Sequence, residues 1–290
     1  MRKDFKDSIL EISKNDKKIV LVFGDISVFL FKEFWDKYPD KFFNMGICEN
    51  SLISLSAGLS SKGFIPFVHS INPFITDRSL EQIKLDLCYN NFPVNIVTTG
   101  ASFDYAWDGA THHCYDDLLM IKNLPNTKVF QPGSETELKF LIKDNYDNGF
   151  TNYFRLSDHP HGINFKNKIK KEKAIEVLKS ETAKITVLTA GPILKNVLPA
   201  CQDLNVNLIY FHTIKPIDKK IINKYKNTKM IIIHDAQGLQ EAINETNGLN
   251  TYFKGPSTDK FEVCYGNIDN MRKKIGLDIN SIRKFIKSVY

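Results

Sequence analysis

Short apolar segments alternate along this chain with segments whose apolar residues recur at helical spacing. Residues 18–23 (KIVLVF) are apolar and β-branched and end at Gly24, which is typical of a buried strand. Residues 30–38 follow with apolar side chains three and four positions apart, as expected of a helix that packs on one face. Repeated strand–helix–strand units pair their strands in parallel through crossover connections. The alternation therefore predicts an α/β fold with a mostly parallel sheet covered by helices on both faces.

The alternation continues as far as residue 155 and restarts after a basic segment at residues 166–173 (KNKIKKEK). We therefore expect two doubly wound, mostly parallel-sheet domains, at residues 1–165 and 174–290, joined by the basic segment as a linker. Further strands are predicted at residues 41–44, 65–69, 94–98, 128–131, 151–155, 184–189, 207–211 and 230–233. Further helices are predicted at residues 49–61, 78–90, 116–122, 134–145, 194–204, 219–225 and 240–247.

The composition suits a protein with two hydrophobic cores. The 290 residues are 42% hydrophobic and 25% charged, which excludes collagen, low-complexity disorder and a coiled-coil rod. The longest apolar stretches, such as residues 19–23 and 230–233, are far shorter than the ~20 residues that a membrane helix needs. The charged N-terminus has no apolar signal core. We expect a soluble, cytoplasmic protein.

The charged residues and the cysteines do not indicate a nucleic-acid or metal site. The formal net charge is +6, but the densest basic run is the predicted linker, which has no interleaved aromatic residues. The five cysteines are scattered, and no pair has the two-residue gap of a zinc or redox motif. We expect reduced thiols, no metal ligands, and no nucleic-acid or membrane partner.

Two segments carry polar groups that sheet packing does not require. Residues 45–50 (MGICEN) place Glu49 at the start of a helix directly after a strand, and residues 107–113 (WDGATHH) combine an acid, a turn glycine and two imidazoles. Each also has a structural explanation. A carboxylate is stabilised by the dipole at a helix N-terminus, and Asp-Gly is a common turn pair. Either motif alone is therefore weak evidence of function.

Taken in order along the chain, these and other segments resemble the C-terminal half of transketolase and of the wider thiamine-diphosphate transketolase-like enzymes. Residues 42–58 (FFNMGICENSLISLSAG) resemble the family's FxxxGIxEQxxxxxAAG helix start, and residues 63–82 (GFIPFVHSINPFITDRSLEQ) resemble the following strand and FxxRxxxQ helix. AWDGATHH resembles GEDGPTHQ, LPNTKVFQPGSETE resembles IPNLxVxRPADxxE, and FHTIKPID is similar to xxTIKPLD. The resemblance covers essentially the whole chain. It implies a pyrimidine-binding domain followed by a transketolase C-terminal-like domain.

The resemblance also implies roles for individual residues. Glu49 matches the glutamate that binds the pyrimidine N1′ of thiamine diphosphate and promotes removal of the C2 proton, which makes it a catalytic and cofactor-binding residue. Phe74 matches the aromatic residue that stacks on the pyrimidine ring. Asp108 matches the aspartate that forms hydrogen bonds with substrate hydroxyls, a substrate-binding role. His112 matches the histidine that contacts the reacting carbonyl or hydroxyl, a catalytic and substrate-binding role.

The chain departs from the family where a sugar phosphate is bound. Of the family's phosphate-binding residues, the first arginine falls on Arg2 and is retained as a substrate-binding candidate. The serine falls near Phe29, the histidine on Gly100, and the second arginine on or next to Asp158. Because phosphate sites depend on charge-assisted hydrogen bonds, these changes predict a substrate other than an ordinary sugar phosphate. Whether Arg155 replaces the missing arginine stays open at this point.

The family's GDG…N motif, which holds the diphosphate and its Mg²⁺ in a separate N-terminal domain, does not occur in this sequence. The only Asp-Gly pair, Asp108-Gly109, belongs to the other signature. The resemblance therefore implies one subunit of a split enzyme, bound to an N-terminal transketolase-like partner that supplies the diphosphate and Mg²⁺ site. We expect an α2β2 assembly.

Two other functions are compatible with the sequence. One is a β subunit of a 2-oxo-acid dehydrogenase or a subunit related to deoxyxylulose-phosphate synthase, although the DGxTHH loop and TIKPID fit transketolase better. The other is a non-catalytic assembly or regulatory paralogue, which the altered phosphate site would favour. The joint presence of Glu49, Phe74, Asp108 and His112 favours a two-component ketol transferase instead.

Overall fold

The computed structural model describes residues 1–165, 167–247, 251–257, 259–264 and 266–290. Lys166, the first residue of the predicted linker, lies outside these residues. The α-helices are α1 (Arg2–Ser13), α2 (Lys32–Lys37), α3 (Glu49–Ser61), α4 (Asn72–Gln82), α5 (Asp117–Lys122), α6 (Glu135–Asn145), α7 (Leu194–Cys201), α8 (Lys219–Lys224), α9 (Leu239–Asn247), α10 (Ile268–Lys274) and α11 (Ile279–Val289). In the described ranges, no helix combines the length and the apolar character that a membrane crossing requires.

The strands form two sheets. They are β1 (Ile19–Phe23), β2 (Phe42–Asn44), β3 (Ile65–Ile71), β4 (Asn95–Thr99), β5 (Thr127–Phe130), β6 (Thr151–Arg155), β7 (Ile175–Leu178), β8 (Ile185–Ala190), β9 (Val206–Phe211), β10 (Thr213–Lys215), β11 (Lys229–Ile233) and β12 (Tyr252–Lys254). The first sheet has the order β10-β5-β6-β4-β3-β1-β2, and the second has the order β12-β11-β8-β9-β7. Pairing is parallel except where β10 meets β5 and β7 meets β9. The prediction of mostly parallel sheets is therefore confirmed.

The first sheet is buried on both faces because side chains alternate along its central strands. Val20 and Val22 belong to a core that includes Leu52 of α3, whereas Leu21 belongs to a second core that includes Phe5 of α1. Helices therefore cover both faces of the sheet. This is the doubly wound arrangement that the alternation predicted.

Strand β10 comes from the part of the chain predicted to form the second domain, yet it pairs with β5 at the edge of the first sheet. This strand is not among those predicted from the sequence. The core is also shared, since Leu188 and Ile209 of the second sheet belong to the same cluster as Val129 of the first. The two sheets therefore pack against each other and share part of one hydrophobic core.

Helix α4 starts six residues earlier than the helix predicted at residues 78–90. Pro73 lies at its first turn, where a fixed backbone angle and a missing N–H favour helix initiation. The backbone leaves helical geometry at Ser79 (φ −116°, ψ 15°), and residues 83–89 continue as a π-helix. The predicted helical region is therefore divided into two differently wound parts.

The candidate residues follow the carboxyl ends of parallel strands, where ligands bind in open α/β sheets. Glu49 opens α3 after β2, Phe74 lies in α4 directly after β3, His112 lies in the loop after β4, and Asp158 follows β6. Strands β6, β4, β3, β1 and β2 are consecutive in the sheet. The topology therefore brings these loops to one edge.

Candidate active site

Glu49 is a buried carboxylate at the start of α3, with only 2% of the residue exposed. Its Oε1 accepts a hydrogen bond from the Ser70 hydroxyl at 3.2 Å, and its Oε2 pairs with Arg78 Nη1 at 3.1 Å. The first turn of a helix favours a negative charge, because unpaired N–H groups point toward it. Each carboxylate oxygen therefore has a different partner, one buried hydroxyl and one guanidinium that reaches in from an exposed position.

Phe74 is connected to Glu49 by Arg78, which contacts both residues. Phe74 and Arg78 are four residues apart on α4, a spacing that places side chains one above the other on a helix. The Arg78 guanidinium lies over the Phe74 ring, with its central carbon 4.2 Å from the ring centroid. Arg78 thus contacts both residues that the resemblance assigns to the cofactor. Sequence reasoning missed Arg78 and Ser70, although Arg78 lies within the FxxRxxxQ match.

The loop of residues 106–111 turns His112 toward this group. Gly109 has φ 76° and ψ −162°, a conformation essentially restricted to glycine. The His112 ring meets Phe74 edge-on at 5.1 Å, and its Nδ1 lies 2.9 Å from the Thr111 hydroxyl. His113 points the other way, against Phe103 at 5.0 Å, where burial lowers its pKa. Only the first of the two histidines is therefore part of the candidate site.

Asp108 lies on the exposed side of the same turn. Its backbone N–H donates to the Tyr105 carbonyl, and its own carbonyl accepts from the Thr111 hydroxyl at 3.3 Å. Among the contacts within the described residues, none joins its carboxylate to Glu49, Phe74 or His112. Asp108 is therefore close to His112 in the chain but is an exposed residue.

Arg2 and Asp158 form an ion pair at the far end of the site, with Arg2 Nη2 3.3 Å from Asp158 Oδ2. The Tyr105 hydroxyl lies 3.5 Å from the same carboxylate oxygen. Gly100 has φ +84°, and the Tyr105 ring fills the space that a side chain at this position would occupy. The Tyr105 ring therefore occupies the space at the position that the resemblance matches to a phosphate-binding histidine. Phe29, near the position of the family serine, is 95% exposed.

Arg155 does not reach this region, which answers the question that the sequence left open. Its side chain is completely buried, and its Nε donates to Asp117 Oδ2 at 2.7 Å. Its Nη2 donates to the Ser102 hydroxyl at 3.0 Å and to the Cys114 carbonyl at 2.7 Å. Burial opposes its charge, but the Asp117 carboxylate, together with Asp235, outweighs that effect and raises the pKa of Arg155. Arg155 is therefore a core residue.

The remaining candidates form one line of contacts along the sheet edge. Tyr105 connects its two halves, because its ring lies 6.2 Å from that of His112 and its hydroxyl reaches Asp158. The order of contacts is Glu49, Arg78, Phe74, His112, Tyr105, Asp158 and Arg2. A buried acid thus lies at one end and an ion pair at the other.

The residues present fit the pyrimidine part of thiamine diphosphate but not its diphosphate. A buried carboxylate beside a flat ring suits a planar, hydrogen-bonding heterocycle. In the described ranges, one group of side chains has metal-ligand spacing, formed by Asp77, Cys114 and Asp116. Burial raises the pKa of the Cys114 thiol well above its usual value, and Mg²⁺ prefers oxygen ligands. This group is therefore a poor match for Mg²⁺ bound to a diphosphate.

A solved structure described as split gene transketolase, inactive beta4 tetramer, superposes with a TM-score of 0.85 over 99% of this chain and 96% of that chain. The two sequences are 23% identical, so this likeness shows the fold. The putative transketolase C-terminal section of Methanocaldococcus jannaschii (strain ATCC 43067) is 28% identical over 99% of this chain and 95% of its own length.

Two further relatives have names that specify a sugar substrate. The 6-deoxy-6-sulfo-D-fructose transketolase subunit of Clostridium sp. (strain MSTE9) is 25% identical over 97% of this chain and 92% of its own length. An apulose-4-phosphate transketolase subunit from Actinobacillus succinogenes is 27% identical over 93% of this chain and 91% of its own length. The chain spans only about half, 47%, of several 1-deoxy-D-xylulose-5-phosphate synthases that it also matches.

The family model described as transketolase, pyrimidine binding domain, matches residues 1–157, which is more than half of the chain. This family is thiamine diphosphate dependent. The match agrees with the fold and with the motifs around Glu49 and His112, and the resemblance inferred from the sequence is confirmed. The chain therefore belongs to the transketolase pyrimidine-binding family.

Proposed function

We propose that this chain is the pyrimidine-binding subunit of a two-component, thiamine-diphosphate-dependent transketolase. The observation that carries the proposal is the buried Glu49 carboxylate beside the Phe74 ring, at the sheet edge where His112 also lies. When bound, thiamine diphosphate supplies the nucleophilic carbon that carries a two-carbon ketol unit to an aldehyde or aldose. The chain's own residues bind, orient and exchange protons around it.

Glu49 holds the proton at the pyrimidine nitrogen in this proposal. Its Oε1 accepts from the buried Ser70 hydroxyl, whereas its Oε2 pairs with the half-exposed Arg78, so Oε2 is the oxygen that we assign to N1′. Burial strengthens such a hydrogen bond, because water does not compete for it. Phe74 provides the flat apolar surface on which the pyrimidine stacks.

His112 and Asp108 are the residues that we assign to the substrate. The Thr111 hydroxyl engages His112 Nδ1 at 2.9 Å, which fixes the ring and leaves Nε2 to contact a substrate oxygen. An imidazole that contacts a substrate oxygen can act as a general acid or base. The exposed Asp108 carboxylate can accept hydrogen bonds from sugar hydroxyls.

An N-terminal transketolase-like subunit would complete the site. The described residues offer no oxygen-ligand cluster suited to Mg²⁺ and a diphosphate, and the split relatives support a second chain that does. We propose that the partner binds Mg²⁺ and the diphosphate, and that the two chains form a cytoplasmic α2β2 assembly.

Calorimetry with thiamine diphosphate and Mg²⁺ tests whether cofactor binding requires both subunits. The chain alone should show weak binding or none, whereas the chain mixed with its partner should bind the cofactor and transfer a two-carbon unit. Micromolar binding by the isolated chain contradicts the split site. Binding by the mixture without transfer to any aldose would favour the non-catalytic alternative.

The acceptor in this proposal lacks a terminal phosphate. Asp158 balances the charge of Arg2, and the Tyr105 ring fills the space at Gly100, the position that matches a family histidine, so little net positive charge remains for a dianion. A carboxylate about 4 Å from a phosphate charge would cost about 4 kcal/mol at an effective dielectric of about 20. The named relatives include one for a sulfonated sugar and one for a phosphorylated sugar, so the family accommodates both kinds.

A kinetic panel of phosphorylated and unphosphorylated aldoses of equal length, with a common ketol donor, tests the acceptor class. The assembled enzyme should prefer the unphosphorylated aldoses in kcat/KM. Asp158→Asn should raise kcat/KM for the phosphorylated ones by freeing Arg2, and Arg2→Ala in the same chain should remove that gain. A wild-type preference of about a hundredfold for phosphorylated acceptors would show that the site still binds phosphate.

A further inference from the structure

Arg78 occupies the space that the proposed cofactor site requires. Its Nη1 pairs with Glu49 Oε2 at 3.1 Å, and Oε2 is the carboxylate oxygen left after Oε1 has bonded to Ser70. Its guanidinium also lies over the Phe74 ring at 4.2 Å. Because the same guanidinium touches both groups, it covers the ring face that lies toward the carboxylate. A pyrimidine cannot stack on that face and reach Glu49 while Arg78 stays there.

The Arg78 backbone is anchored, whereas its side chain is half-exposed to solvent. Asn50 Nδ2 donates to the Arg78 carbonyl at 2.6 Å and to Gln82 Oε1 at 2.8 Å, which ties α3 to α4 at this point. The Arg78 side chain is 47% exposed, in contrast to the 2% of Glu49. A rotation of the side chain alone would therefore clear the site without moving either helix.

Arg78 also provides a partner for the buried Glu49 carboxylate. A buried carboxylate with an unpaired oxygen is destabilising, because it has lost water and gained no partner. The guanidinium supplies that partner through an ion pair, and it is further stabilised by the Phe74 ring. The same interactions must be given up when another group binds Glu49 and Phe74.

We propose that Arg78 is a gate: it fills the pyrimidine position in the cofactor-free subunit and swings into solvent when the pyrimidine binds. The inference rests on the proposed function, since it takes Glu49 and Phe74 as the pyrimidine-binding residues. It assigns to Arg78 a role in opposing cofactor entry. Removing the gate should strengthen and accelerate binding.

The test measures thiamine diphosphate binding to the complete two-subunit complex in the presence of Mg²⁺. Isothermal calorimetry gives Kd, and stopped-flow fluorescence gives the association rate. Arg78→Ala should lower Kd by about three- to thirtyfold, which corresponds to loss of one half-exposed ion pair and one cation–π contact. The association rate should rise as well. Arg78→Lys, which keeps the charge but not the planar stacking, should have a smaller effect.

Lys62→Ala is the matched control, because it removes one positive charge at the opposite end of α3. It should leave Kd and the association rate unchanged. An unchanged or higher Kd for Arg78→Ala, with the variant shown to be folded by thermal melting, overturns the gate. Wild-type complex that does not bind thiamine diphosphate at all instead overturns the proposed function, so the two failures are distinguishable.

Discussion

Glu49 combines deep burial with two dissimilar partners, and this environment suits a residue that exchanges a proton with a bound heterocycle. Ser70 orients one oxygen, while Arg78 holds the other from an exposed position. A side chain at Gly24 would collide with Ser70 and with Leu52 of α3. Glycine at this position therefore permits the close packing of β1, β3 and α3 that buries the carboxylate.

Glu49→Gln should leave the fold intact but slow turnover of the assembled enzyme and C2–H/D exchange of bound thiamine diphosphate. Loss of a central polar group typically removes about 2–4 kcal/mol of transition-state stabilisation, or roughly 30- to 1,000-fold in rate. NMR exchange measurements and steady-state kinetics check this. Glu33→Gln, at an exposed glutamate on α2, is the control and should behave as wild type. An exchange rate equal to wild type in Glu49→Gln would remove Glu49 from its assigned role.

Arg155 and Asp117 form a fully buried ion pair whose contribution is to stability. Asp117 Oδ2 also accepts hydrogen bonds from the Tyr153 hydroxyl at 2.7 Å and from Asn72 Nδ2 at 3.0 Å. Arg155→Ala should lower the free energy of unfolding by about 3–5 kcal/mol, because it leaves an unpaired buried charge. Urea denaturation measures this. Adding Asp117→Leu should recover part of the loss, and an additive double variant would contradict the pairing.

At the scale of one helix, the start of α6 shows how a local motif can serve a distant contact. Ser134 Oγ accepts the Glu137 backbone N–H at 3.4 Å and caps the start of the helix. The Glu137 carboxylate also accepts from the Tyr210 hydroxyl at 2.6 Å and lies 3.0 Å from His161 Nε2. The capping glutamate therefore links α6 to β9 of the second sheet.

Two substitutions in this cap separate its local and long-range functions. Ser134→Ala should lower the free energy of unfolding by about 1 kcal/mol, the usual cost of a lost helix cap. Glu137→Ala should cost about 3 kcal/mol, because it leaves Tyr210, His161 and the Gly133 N–H without their acceptor. Equal losses in urea denaturation would show that Glu137 acts only as a cap.

At the scale of the whole molecule, buried polar groups join the loops and sheets and make stability depend on pH. Asp104 accepts from the Ser157 hydroxyl and from the Asp158 N–H, both at 2.8 Å. Burial raises the pKa of Asp104 to about 7. Burial lowers the pKa of His69 and of His234 to about 4, so both histidines are neutral in the folded protein near pH 7. His234 connects the two sheets through Gln131, at 2.8 Å.

Asp104→Asn isolates one part of this pH dependence. The folded pKa of Asp104 lies above the unfolded value of 3.8, so protonation stabilises the native state and that contribution is lost as pH rises from about 4 to about 7. The wild type should therefore lose on the order of 4 kcal/mol relative to Asp104→Asn across this window. Urea denaturation at a series of pH values measures the difference. Parallel curves for the two proteins would show that Asp104 is ionised throughout.

The two histidines produce the opposite trend. Their folded pKa values lie below the ordinary value of 6.5, so their contribution is present above pH 6.5 and is lost as pH falls toward 4. His234→Gln should reduce the acid destabilisation between these pH values, provided that the glutamine keeps a hydrogen bond to Gln131. The expected result is a flatter acid limb in thermal melting. An unchanged limb would assign the acid sensitivity to other groups.

The sequence by itself determined the layered α/β fold, the positions of most strands and helices, and the family. Each of these depends on residue patterns over short stretches of chain, as in the KIVLVF strand or the MGICEN and WDGATHH segments. Only the tertiary structure decided that Arg78 lies on Glu49 and Phe74, that Tyr105 fills the space at Gly100, that Arg155 is a core residue, and that β10 joins the first sheet. The Arg78–Glu49, Arg155–Asp117 and β10–β5 contacts join residues far apart in the chain. The Tyr105 contact, though nearer, depends on the path of an irregular loop. No periodic pattern records such contacts, because packing and desolvation select them only after the sheets have formed.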